Sequence, residues 1–60
     1  MSDPPFVLIV EDEQPITRFL VASLARQGYR VRVADSGEQA IAAIDSRLPD
    51  LILLDLGLPD

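Results

Sequence analysis

Two runs of pure hydrocarbon in this 60-residue chain each end in carboxylate. Phe6-Val7-Leu8-Ile9-Val10 passes directly into Glu11-Asp12-Glu13, and Leu51-Ile52-Leu53-Leu54 passes directly into Asp55. Short continuous apolar runs read as strands buried on both faces, the pattern of a parallel sheet. Parallel neighbours end side by side. Glu11, Asp12 and Asp55 are therefore expected together at one carboxyl edge, where open α/β folds hold their ligands.

The segments between these runs fit that frame. Pro15 suits the first turn of a helix, where its missing N–H costs nothing. Ile16, Phe19, Leu20 and Leu24 then recur at helical spacing as a buried stripe, with Arg18 and Arg26 left to face water. Gly28 is a C-terminal stop, so the spacing predicts a helix over 15–27. Residues 29–33, Tyr-Arg-Val-Arg-Val, alternate apolar with charged, as in a strand at a sheet edge. Ser36-Gly37-Glu38-Gln39 reads as a capping box opening a second helix. Ala40, Ile41, Ala43, Ile44 and Leu48 supply its buried stripe, and Pro49 ends it. Gly57 and Pro59 mark the loop after the last apolar run.

The expected fold is α/β, with elements in the order β-α-β-α-β and a parallel sheet. Right-handed crossovers limit its topology. The alternating strand belongs at an edge, and the order 2-1-3 then sets the two acid-tipped strands side by side. One domain is expected over 1–60, with 1–5 as a flexible tail.

Composition removes several classes of function. The chain has neither cysteine nor histidine, which excludes disulfides, thiolate metal sites, histidine-ligated zinc and imidazole catalysis within these residues. A hydrophobic fraction of 48% argues for a folded chain. At this length only about 60% of the unfolded surface is buried, so stability is expected to be marginal. A net charge of −5 argues against direct contact with nucleic acid. No apolar run approaches the roughly 18 residues that span a bilayer. Met1-Ser2-Asp3-Pro4-Pro5 resembles neither a signal peptide nor an anchor, so no membrane partner and a cytoplasmic location are expected. All five basic residues are arginine, and lysine is missing.

Carboxylates a few ångströms apart repel unless a proton or cation intervenes. The hard oxygen set points to Mg2+, which takes one or two carboxylates, keeps several waters and accepts a phosphate oxygen. Asp12 and Asp55 are the expected direct ligands, the Gly57 carbonyl a further one, and Glu11 a ligand through water. An aspartate with one exposed oxygen is also a candidate nucleophile for a phosphoryl group. The plainer reading of acids after a strand is that they are loop residues or favour the next helix's N-terminus. Glu13 is read so, and Asp3, Asp35, Asp45, Asp50 and Asp60 are read as loop, cap or surface acids.

Three segments together resemble the receiver domain of bacterial two-component response regulators, most closely the kind attached to winged-helix transcription factors. They are Val7-Leu8-Ile9-Val10-Glu11-Asp12-Glu13, Ala34-Asp35-Ser36-Gly37-Glu38-Gln39-Ala40, and the run from Pro49 through Asp55-Leu56-Gly57-Leu58-Pro59-Asp60. The resemblance implies a flavodoxin-like fold, with strand order 2-1-3-4-5, of which this chain holds three strands and lacks the fourth and fifth. It implies that Asp55 accepts a phosphoryl group from the phosphohistidine of a sensor histidine kinase. Asp12 then matches a magnesium ligand, Glu11 its acidic partner, Gly57 a carbonyl donor, and Pro59 the proline shaping the loop below the site. DNA would be reached only through an output domain absent from these residues.

Three parts of the family's pattern have no counterpart here: the switch hydroxyl after the fourth strand, the switch aromatic, and the lysine that grips the phosphoryl oxygens. Thr17 sits in the first helix and cannot stand in for that hydroxyl. The chain is accordingly expected to be impaired in phosphorylation. It is also expected to self-associate through the exposed edge of its third strand. Two readings stand beside this one. The first is a pseudo-receiver that serves only as an interaction module. The second is a toprim-type Mg2+-dependent nucleic-acid enzyme module, whose D-x-D is not met by Asp55-Leu56-Gly57. A haloacid-dehalogenase-like phosphatase would need a D-x-D-x-T/V series, which Glu11-Asp12-Glu13 does not supply.

Overall fold

The structure, a computed structural model, describes residues 3–54. Strand β1 (Phe6–Val10) is followed by helix α1 (Gln14–Arg26), strand β2 (Arg30–Ala34), helix α2 (Gly37–Ser46) and strand β3 (Leu51–Leu54). The three strands form one parallel sheet in the order β2-β1-β3, as the pattern of apolar runs predicts. β1 is the centre and is buried along its whole length, with Leu8 and Ile9 both at 0% exposure. Each such side chain contributes about 1.5–3 kcal/mol by burial.

Strand alternation divides the core between two faces. Leu8 and Val10 join Ala34 of β2 and Ala40 and Ala43 of α2 in one cluster, against which Ile44 packs. Val7 and Ile9 point the other way, towards the face that a right-handed crossover gives to α1.

The helix boundaries have local causes. α1 starts at Gln14, with Pro15 in its first turn, one residue before the expected position. At the other end, Gly28 takes φ +91°. Its N–H donates to the Ala25 carbonyl at 3.0 Å, and the Tyr29 N–H donates to the Leu24 carbonyl at 3.1 Å. This double closure is a Schellman motif. It commits Tyr29 to the helix terminus, so the strand expected over 29–33 instead runs Arg30–Ala34. In α2 the Ser36 Oγ accepts the Gln39 N–H at 3.1 Å. Gln39 Oε1 accepts in return from the Asp35 N–H at 3.0 Å, one residue before the cap itself.

Three burial expectations are corrected. No residue of α1 is fully buried; Leu20, Val21 and Leu24 are half-buried, Ile16 is exposed, and Phe19 is 69% exposed. The helix packs over the edge strand β2, so part of its apolar stripe meets no partner among the described residues. In α2, Ala40 and Ala43 are buried, but Ile41 is exposed and Leu48 is 78% exposed. Ile41 sits about 100° around the helix from Ala40, outside the contact face, and Leu48 lies beyond the C-cap at Arg47. Finally, β3 is not buried on both faces. Leu51, Ile52 and Leu54 are exposed, because no strand or helix among the described residues covers its outer edge.

Both outer strands are fastened to the start of β1. The Arg30 N–H donates to the Pro5 carbonyl at 2.9 Å, which ties the last residue of the expected tail 1–5 to β2. On the other side the Phe6 N–H donates to Asp50 Oδ2 at 2.7 Å, and the Asp50 N–H donates to the Phe6 carbonyl at 2.8 Å. No helix among the described residues is long and apolar enough to cross a membrane.

Candidate functional site at the carboxyl edge

Val10, the last residue of β1, stands in register with Ala34 of β2 and with Leu54 of β3. The three strands thus end at one level. The β1–β2 ladder continues one step further, where the Glu11 N–H donates to the Ala34 carbonyl at 3.0 Å. That bond fixes the backbone from which the acids depart. Glu11 is buried, at 5% exposure, whereas Asp12 is exposed. A carboxylate held out of water beside one open to it gives the strand tip two different oxygen donors.

Glu13 is the N-cap residue of α1. Its carbonyl accepts the Thr17 N–H at 3.0 Å, but its side chain makes no cap bond. Its role is therefore the conformational turn out of the strand and into the helix.

Above the tips of β1 and β2 lies a cavity of about 330 Å³ lined by Glu11, Asp12, Gln14, Thr17, Arg18, Val33, Asp35 and Gln39. Glu11 and Asp12 were expected here. Asp35, read from the sequence as a loop acid, comes to the same cavity, and so does Arg18, read as facing water. The signal for Asp35 is the one that singled out Glu11: it follows a strand directly and so reaches the carboxyl edge. Arg18 and Thr17 carry no comparable local signal, since only the crossover of α1 brings its first turns over the strand tips. Gln39 arrives through its bond to the Asp35 N–H.

Asp55, Gly57, Pro59 and Asp60 lie outside the described residues. Among the described residues, no group of three or more acids is placed to hold a metal ion. The part of the expected Mg2+ donor set that is described is the Glu11–Asp12 pair. Its hard oxygens suit that ion, with the exposed Asp12 open to a ligand that keeps its waters.

A family model described as the response regulator receiver domain matches residues 7–60. The KDP operon transcriptional regulatory protein KdpE of Escherichia coli (strain K12) is 54% identical over 54 residues, covering 90% of this chain and 24% of that protein. Transcriptional regulatory protein AfsQ1 of Streptomyces coelicolor is 46% identical over 55 residues, 92% of this chain and 24% of the relative. The alkaline phosphatase synthesis transcriptional regulatory protein PhoP of Bacillus subtilis (strain 168) is 43% identical over 53 residues, 88% and 22% respectively. The chain spans about a quarter of the length of these relatives.

Proposed function

The chain belongs to the response regulator receiver domain family, and from that premise we propose that it carries the acidic half of a phospho-acceptor site in two-component signalling. Asp55 is the acceptor. In the transfer, a carboxylate oxygen of Asp55 bonds to phosphorus as the phosphorus–nitrogen bond of a sensor kinase's phosphohistidine breaks, leaving the imidazole with the electron pair. Asp12 and Asp55 would hold Mg2+, with the Gly57 carbonyl as a further donor and Glu11 acting through water, and the ion would supply charge neutralisation on the transferring group.

The observation that carries this reading is the register of β1 and β3, Val10 opposite Leu54, which ends both strands at one level beside Glu11 and Asp12. Asp12 supplies an oxygen open to solvent, and Glu11 holds its carboxyl in a buried position beside it. The relatives are named as transcriptional regulators, so control of transcription is proposed for the longer protein, through an output domain outside these residues.

A second reading is a pseudo-receiver that acts only by protein contact and takes no phosphoryl group. Incubation with acetyl phosphate and Mg2+, followed by intact-mass measurement, separates the two. The 60-residue chain is expected to label little or not at all. A longer form including the later strands is expected to gain one phosphoryl group that Asp55→Asn abolishes. No adduct on the longer form favours the pseudo-receiver, and an adduct that survives Asp55→Asn places the acceptor elsewhere.

A further inference from the structure

We propose that the outer edge of β2 is a docking edge for an acidic, extended peptide segment of a partner protein. Three of the chain's five cations, Arg30, Arg32 and Arg47, line a single groove of about 300 Å³ together with Phe6, Val31 and Ser46. This concentration occurs in a chain of net charge −5, so it does not follow from overall composition. No carboxylate among the described residues pairs with any of the three.

The arginines are ordered along the strand. Arg30 is in register with Phe6, and Arg32 with Leu8, so both sit on the α2 face of the sheet. Arg47, the C-cap residue of α2, lays its guanidinium over the Phe6 ring at 5.5 Å from the centroid. It therefore stands at the Arg30 end of the groove, held by a cation–π contact. The side chain of Val31 belongs to the opposite face, so between the two strand arginines the groove meets main chain.

β2 is an edge strand, paired with β1 on one side only among the described residues. Charged residues on an edge strand commonly serve to repel other strands. That accounts for Arg30 and Arg32, but not for a third arginine delivered by another element and fixed on an aromatic ring. A second copy of this chain is a poor occupant, because pairing β2 with β2 sets arginine against arginine. An acidic strand is the complementary occupant. Alternate residues along a strand are about 6.6 Å apart, and an extended peptide has the same period. Acids at every second position would meet Arg32 and Arg30 in turn while the free edge supplies main-chain hydrogen bonds, and Arg47, over Phe6 at the level of Arg30, adds a third positive charge from the α2 face. The groove opens near the amino end of β2, away from the Glu11–Asp12 cavity, so an occupant leaves that cavity accessible.

The test is fluorescence anisotropy with two labelled peptides of identical composition, one alternating (Glu-Thr-Glu-Val-Glu) and one with its three glutamates contiguous. The alternating peptide is expected to bind at least about tenfold more tightly. Arg30→Glu with Arg32→Glu, and separately Arg30→Gln with Arg32→Gln, should abolish the preference while the far-UV circular dichroism stays unchanged. The glutamate variant should instead bind a Lys-Thr-Lys-Val-Lys peptide. Equal binding of the two acidic isomers overturns the proposal in favour of diffuse charge attraction. Displacement of the peptide by an equimolar amount of inorganic pyrophosphate overturns it in favour of a small oxyanion pocket. Undiminished binding by the variants overturns it outright.

Discussion

Asp50 and Phe6 grip each other twice: the Phe6 N–H donates to the Asp50 carboxylate at 2.7 Å, and the Asp50 N–H donates to the Phe6 carbonyl at 2.8 Å. The pair sits at the amino end of the sheet, immediately before β3 and at the first residue of β1. It decides which residue of β3 meets which residue of β1, and a slip of one position would turn every side chain of a strand to the other face. The register that brings Leu54 beside Val10 at the carboxyl edge is thus set at the opposite end.

Replacing Asp50 with alanine leaves the N–H of buried Phe6 without its charged acceptor and should cost about 1–2 kcal/mol. Asp50→Asn keeps an acceptor and should cost less. Urea denaturation followed by circular dichroism measures both, and equal stability of the alanine variant would show that the clasp is redundant.

Gly28 lies at φ +91°, and a Cβ built there meets nothing within 4 Å. The cost of Gly28→Ala is therefore one of backbone conformation alone, about 1–2 kcal/mol. Gly28→Asn should cost less, since asparagine tolerates the left-handed region better. A loss for alanine no greater than for asparagine would remove the Schellman closure from the account.

Mg2+ titration followed by NMR should shift amide signals of Glu11, Asp12 and their neighbours, and removal of the ion with EDTA should restore them. Asp12→Asn and Asp55→Asn should each weaken the response at least about tenfold, since each changes a carboxylate of the proposed ligand set. Asp35→Asn, which changes an acid of the same cavity outside the proposed ligand set, should leave it nearly intact. A response lost only with Asp35→Asn would relocate the site towards β2.

β3 presents Leu51, Ile52 and Leu54 to solvent, Leu54 at 60% exposure. We expect self-association through this edge at micromolar concentration, visible by light scattering. Leu54→Lys should reduce it, because a charge on an edge strand opposes pairing. A well-folded monomer of the unsubstituted chain sinks this expectation.

The topology was legible because Phe6–Val10 and Leu51–Leu54 contain no polar residue, whereas residues 29–33 alternate. One pattern specifies two buried faces, the other a single one. Burial was less legible, because it depends on what lies beyond the edge. β3 is as apolar as β1 yet exposed, and Phe19 and Ile41 fit a helical stripe without reaching a partner. Of the site, Glu11 and Asp12 were readable from position alone. Asp35 was readable by the same rule but was masked by the charged alternation before it, and Arg18 needed the path of α1. Asp50 looked like any loop acid, since its partner stands 44 residues away in the chain. Asp55 and Gly57 were readable as candidates, but they lie outside the described residues.

Each outer strand is locked to β1 at the amino end of the sheet, β2 through Pro5–Arg30 and β3 through Phe6–Asp50. In mechanical terms both seams are clamped on the side away from Glu11 and Asp12. Sliding either outer strand along β1 would break a clamp as well as its ladder, so the carboxyl edge keeps its level without needing a clamp of its own.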